Sequence, residues 1–187
     1  VLFDLGQLES AERSYNKALT LNPNFSEAHN NLGNTLMERG QIDNAISSYQ
    51  RALIINPNYI EAHSNLGNIF LENNELDNAV KSFQRALDIN PNIPELYNNL
   101  GNAYKKLGHN QDALNSYSKG LSINPESTDL LNNIGVTLND LGQFKEAIKS
   151  YKRAIEIKLD YAEAYNNLGV SYNKLGQSDE AVQSYKK

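Results

Sequence analysis

NNLGN stands at Asn30–Asn34 and again at Asn98–Asn102, with SNLGN at Ser64–Asn68 between them. NNIGV at Asn132–Val136 and NNLGV at Asn166–Val170 follow. Asn and Gly are both poor helix formers, and Gly in a helix interior is about 1 kcal/mol worse than Ala. A string this unfavourable, repeated five times, has to serve something other than local helix stability.

The spacing shows what it serves. The glycine recurs at Gly33, Gly67, Gly101, Gly135 and Gly169, each 34 residues after the last. Working outward, Ala recurs in the same register at Ala11, Ala45, Ala79, Ala113, Ala147 and Ala181. An aromatic follows four residues later at Tyr15, Tyr49, Phe83, Tyr117, Tyr151 and Tyr185. A small residue comes three after that, at Ala18, Ala52, Ala86, Gly120 and Ala154, and Pro closes the unit at Pro23, Pro57, Pro91 and Pro125. A fixed period of this length marks a repeat array.

Each unit, counted from Ser26, Ile60, Pro94, Thr128 and Ala162 as position 1, reads as two helices. The first spans about positions 1–14. Position 15 is Gly6, Gly40, Asn74, Gly108, Gly142 and Gly176, residues suited to the left-handed backbone after a helix end. The second helix runs from about position 17 to 31, where Asn-Pro stops it. The fifth unit has Leu159 in place of that Pro, which leaves its stop less firmly specified. Pro94 at position 1 needs no partner for its missing N–H.

These residues at these offsets resemble the tetratricopeptide repeat (TPR) family, over essentially the whole chain. The resemblance implies an all-α fold: antiparallel helix pairs stacked as a right-handed superhelical solenoid of 34-residue units, with a concave groove lined by the first helices. The family's frequent Trp at position 4 is replaced by His29, His63, Tyr97, Leu131 and Tyr165. The register makes residues 1–187 one array: a partial unit 1–25, full units 26–59, 60–93, 94–127 and 128–161, and a partial unit 162–187. It starts and stops inside a unit, so a piece of a longer protein is expected.

At roughly 100° per residue, positions 4, 7, 8 and 11 form one stripe, expected to be packed. Positions 2, 5, 6, 9, 12 and 13 point the other way, toward the expected groove. Position 6 is Asn31, Asn65, Asn99, Asn133 and Asn167, and position 9 is Asn34, Asn68 and Asn102, then Val136 and Val170. A carboxamide both donates and accepts hydrogen bonds. A row of them suits the backbone of an extended peptide, and resembles the asparagine ladder in the repeats of O-linked N-acetylglucosamine transferase. Bonding between neighbouring repeats is the other reading of the same residues. Five first helices about 9–10 Å apart span about 40 Å, which admits about 12 residues of peptide at ~3.3 Å each.

Several classes are disfavoured. There is no Cys, hence no disulfide framework and no thiol chemistry. The net charge of −5 is the wrong sign for a generic nucleic-acid binder. No apolar run approaches the roughly 18 residues of a membrane span. His29 and His63 sit at packing positions, His109 in a turn, and none has zinc-motif spacing. No phosphate-binding glycine loop occurs, so neither catalysis, nor a cofactor, nor a metal is expected. Chaperone-binding members of the family carry basic residues at positions 2, 5 and 6. Here position 2 is acidic throughout, as Glu27, Glu61, Glu95, Asp129 and Glu163. Those acids suit a helix first turn, and the bases at position 26 suit a helix end.

The expected function is therefore a non-catalytic module that binds an extended polypeptide segment of a partner protein, neutral to basic in charge. The expected contacts are Asn31, Asn65, Asn99, Asn133 and Asn167, with Asn34, Asn68 and Asn102 beside them. A substrate-recognition arm of a larger enzyme such as a glycosyltransferase is the alternative. Head-to-tail self-association through repeat ends, involving Val182 and Tyr185, is a third reading.

Overall fold

A computed structural model describes residues 7–187 of the chain; Gly6 lies outside the described residues. Among them are eleven α-helices and no strand. The chain divides into two compact units, Val1–Pro91 and Asn92–Lys187. The first holds α1 (Leu8–Leu21), α2 (Ser26–Glu38), α3 (Ile42–Ile55), α4 (Ile60–Glu72) and α5 (Leu76–Ile89). The second holds α6 (Pro94–Lys106), α7 (Asn110–Ile123), α8 (Thr128–Asp140), α9 (Phe144–Ile157), α10 (Ala162–Lys174) and α11 (Ser178–Tyr185). The even-numbered helices are the first helices of the repeats. The fold is all-α, as the residue pattern predicts.

Position 15 ends every first helix in one way. Gly40, Asn74, Gly108, Gly142 and Gly176 have φ of 70°, 61°, 79°, 72° and 75°. The next residue's N–H then reaches back to the carbonyl at position 11, as in Gln41 N to Leu36 O at 2.8 Å and Gln143 N to Leu138 O at 2.8 Å. This is a Schellman closure, which satisfies carbonyls that the helix leaves without partners. The chain reverses in two residues and lays the second helix against the first.

What the two helices bury is centred on position 8. A Cβ built on Gly33 would lie 2.6 Å from Tyr49 Cε1, and one on Gly135 2.5 Å from Tyr151 Cε1. The position-24 ring is seated on bare backbone, with no room for even a methyl group. Tyr49, Phe83, Tyr117 and Tyr151 are 0–2% exposed. Alanines at position 20 close the same seam: Ala45, Ala79, Ala113 and Ala147 are fully buried.

The packed stripe is wider than positions 4, 7, 8 and 11. Position 3 (Ala28, Ala62, Leu96, Leu130, Ala164) and position 10 (Thr35, Ile69, Ala103, Thr137, Ser171) are buried in every repeat. A first helix packs against its own second helix and also against neighbouring repeats: α2 touches α4, and α8 touches α10. The hydroxyls at position 10 are satisfied locally, for example Thr35 Oγ1 to Asn31 O at 2.9 Å and Thr137 Oγ1 to Asn133 O at 2.8 Å.

The second helices α1, α3, α5, α7 and α9 all stop at position 30, and α9 does so without proline. At position 31, Asn22, Asn56 and Asn124 accept from the N–H two residues on, at 3.2–3.3 Å. Lys158 cannot do this. It nonetheless has the same extended backbone (φ −125°, ψ 97°), and Tyr161 N donates to its carbonyl at 3.2 Å.

Two stability measurements follow from these contacts. Gly135→Ala should destabilise by about 1–3 kcal/mol through overpacking against Tyr151, against the usual gain in helix propensity. Leu159→Pro should raise stability by about 0.4–1 kcal/mol, because Lys158 before it already has the extended backbone that a following proline demands. Chemical unfolding of both variants beside the parent tests each sign.

Candidate functional site

The position-6 asparagines lie half-buried on all five first helices that begin a repeat. The amides of Asn65, Asn133 and Asn167 reach back to the preceding repeat. Asn65 Nδ2 donates to Asn30 Oδ1 and to Asn34 Oδ1, both at 3.0 Å. Asn133 Nδ2 donates to Asn98 Oδ1 at 2.8 Å, and Asn167 Nδ2 to Asn132 Oδ1 at 3.1 Å. Asn31 accepts a longer bond of 3.4 Å from Asn30 Nδ2. Position 5 is thus an acceptor row for the next repeat, and Asn30 and Asn132 are buried at 4% and 2% exposure rather than facing a groove. Inter-repeat bonding is a physical fact of these side chains.

Position 9 has a second duty. Tyr49 Oη donates to Asn34 Oδ1 and Tyr117 Oη to Asn102 Oδ1, each at 2.7 Å. Where position 9 is valine, an asparagine at position 12 supplies the partner. Asn139 Nδ2 donates to Tyr151 Oη at 3.3 Å, and Asn173 Nδ2 to Tyr185 Oη at 3.2 Å. The repeat with Phe83 has no phenol and carries Leu71 at position 12. Val136 and Val170 therefore do not leave a missing rung; the partner of the phenol has moved one turn along the helix. This pairing was present in the residues at positions 9, 12 and 24, and only reading the three together reveals it.

Burial pushes the phenols of Tyr49, Tyr117 and Tyr151 well above their ordinary range, aided by Glu38 at Tyr49 and by Asp140 and Glu163 at Tyr151. Burial also pushes Tyr161 up to about 12, with Asp129 and Glu163 adding to it. The position-2 acids are exposed; Asn132 Nδ2 donates to Glu163 Oε1 of the next repeat at 3.0 Å, and Tyr161 Oη, just before α10, donates to Asp129 Oδ1 at 3.3 Å. Of the basic residues at position 26, Arg153 donates to the Pro125 carbonyl at 2.8 Å.

His29 and His63 tie the start of a first helix to the loop before it. Their Nε2 atoms lie 3.1 Å and 2.9 Å from the carbonyls of Pro23 and Pro57, which requires the proton on Nε2. His109 stacks on Tyr104, with ring centroids 6.4 Å apart. Among the described residues, no group of three His, Asp or Glu side chains is placed to hold a metal. None of the described helices is long and apolar enough to cross a membrane.

Each compact unit has an open pocket at the amide face. In the first, a pocket of about 300 Å³ is lined by Asn34, Asn65 and Asn68 together with Met37, Tyr49 and Ile69, and edged by Glu38 and Glu72. In the second, about 420 Å³ lies beside Asn98 and Asn99, near Glu95 and Asp129.

An all-helical repeat with this period, turn and ring-on-glycine seam defines a helical repeat protein. A model described as TPR repeat matches residues 1–38, 33–74, 67–108 and 137–176, and one described as Tetratricopeptide repeat matches 94–127. The chain belongs to the tetratricopeptide repeat family. Among solved structures it is similar to one of MamA at 26% identity, with a TM-score of 0.79 over 83% of this chain and 91% of that one. A second MamA structure matches at 25% identity and TM-score 0.80, covering 86% and 88%. YrrB, described as a TPR protein with an unusual peptide-binding site, shares the fold at 23% identity and TM-score 0.77, covering 91% and 88%. No curated protein sequence matches the chain.

The raised phenols fix a pH dependence. A phenol whose folded-state pKa exceeds its unfolded value stabilises fully below about pH 10, and that stability drains away as pH rises toward the folded value. The melting temperature should therefore fall from about pH 10 upward, and less steeply in Tyr117→Phe. At neutral pH that variant should lose about 1 kcal/mol, since Asn102 loses its hydroxyl donor. Thermal melts of the two proteins across this pH range check both statements.

Proposed function

We propose that the chain is a non-catalytic protein-interaction module that holds an extended polypeptide segment against the amide face of its first helices. The carrying observation is the state of the position-6 carboxamides. They recur at one position of successive repeats and stay half-exposed, and Asn65, Asn133 and Asn167 are oriented by bonds to the preceding repeat. Asn133 and Asn167 each use one N–H in this way. An amide has a second N–H and a carbonyl oxygen to offer, which is the complement a peptide group requires. Inter-repeat bonding and peptide contact are then compatible, the first fixing the rotamer that the second uses. Pre-ordered side chains lower the entropy cost of binding.

The roles are not equal. Asn31, Asn65, Asn99, Asn133 and Asn167 are the proposed peptide contacts. Asn34 and Asn102 act first as acceptors for buried phenols, and support the ladder more than they read a ligand. Asn68 belongs to the repeat with Phe83 and lines the pocket of the first unit. The peptide-binding site in the description of YrrB accords with this reading.

A random library of peptides about twelve residues long, panned on the chain, supplies the ligands for the test. Changing Asn65, Asn99 and Asn133 together to Ala should weaken the recovered peptides by about tenfold or more. Arg51→Ala, at exposed position 26, should leave their affinity unchanged. Equal affinity in the triple variant, with helicity and cooperative melting intact, would rule out backbone capture by position 6.

A further inference from the structure

The amide face of the first compact unit carries a one-sided charge. Positions 2 and 13 of α2 and α4 are Glu27, Glu38, Glu61 and Glu72, and no Lys or Arg stands at any of the positions 2, 5, 6, 9, 12 or 13 there. The second unit differs: position 13 is Lys106, Asp140 and Lys174, and Lys105 Nζ pairs with Asp140 at 3.2 Å. The pocket between α2, α3 and α4 has the same bias. It holds about 300 Å³, enough for one side chain of a ligand. Its inner wall is apolar, from Met37, Ile69 and the Tyr49 ring. Its edge carries Glu38 and Glu72, which are exposed and, among the described residues, form no ion pair. An apolar wall under an anionic edge is the complement of a side chain with a methylene stem and a cationic head.

We propose that this pocket takes the side chain of one Lys or Arg from an extended partner segment, its methylenes against Met37 and its cation between Glu38 and Glu72. The inference rests on the groove reading above and names the ligand chemistry at one place in it. Glu38 already acts inside the pocket: together with burial, its charge raises the Tyr49 phenol well above its ordinary range. An acidic side chain or a phosphate would meet repulsion at this edge.

The test uses the nitrogen-15-labelled chain titrated with acetylated, amidated peptides of Gly, Ser and Ala that carry one central Lys, Arg, Leu or Glu. The Lys and Arg peptides should shift the side-chain amide signals of Asn34, Asn65 and Asn68 and bind about tenfold more tightly than the Leu peptide. That preference should fall to near parity in the Glu38→Gln/Glu72→Gln double variant and weaken with added salt. Equal binding of the Lys and Leu peptides, shifting the same amides, would overturn the cation pocket and leave the groove reading standing. If no peptide shifts any amide of the even-numbered helices, both readings fall. If the shifts appear on raising the protein's own concentration, the occupant is a second copy and the proposal is overturned.

Discussion

The seating of one aromatic ring on one bare backbone position organises each repeat. Position 8 must be glycine because the position-24 ring occupies the space of its Cβ, with less than 3 Å left at Gly33, Gly67, Gly101, Gly135 and Gly169. The helix loses about 1 kcal/mol of propensity there and gains a large side chain buried nearly to completion. Once the ring is placed, its hydroxyl is placed as well, pointing at position 9 or 12 of the same first helix. From there the hydrogen bonds continue into the next repeat, as in the run from Tyr49 through Asn34 to Asn65 and Asn30. Packing inside a repeat and pairing between repeats are therefore one connected arrangement.

That connection gives the asparagines their double character. Hydrogen bonds inside a protein are stronger than the same bonds in water, and an unsatisfied amide there is costly. Among the described residues, every buried side-chain nitrogen and oxygen has a partner. The amide row is therefore a satisfied network, and its half-buried members at positions 5, 6 and 9, such as Asn98, Asn65 and Asn34, are held in place by it. The bonds between repeats fix the rotamers of these amides, so the row is a set of rigid polar groups.

Much of this was legible in the residues. The turn at position 15 has a backbone that favours Gly or Asn, so Gly40, Asn74, Gly108, Gly142 and Gly176 announce it. The glycine and ring at positions 8 and 24 announce the seam, because both sides of the contact are visible in one repeat. What stayed hidden concerns contacts between repeats. A single helical stripe allows for one partner helix, whereas the first helices touch neighbours on two sides, which buries positions 3 and 10 as well. Thr35, Thr137 and Ser171 do not look like core residues until their hydroxyls are seen to bond their own helix. The burial of Asn30 and Asn132 was hidden for the same reason, since polarity suggested exposure and only the neighbouring repeat supplies the partner.

The end of α9 bears on how such a chain tolerates change. Four second helices are followed by proline, and the fifth ends at the same position with Lys158-Leu159 instead. Its exit path matches the others although both the ring constraint and the asparagine side-chain bond are gone. The stop is thus specified several times over: by the proline, by the asparagine, and by the next helix docking on arrival. At α9 the proline and the asparagine are both absent and the register does not shift. Across these repeats the punctuation varies, while the ring-on-glycine seam, which has no understudy, keeps its glycine in all five.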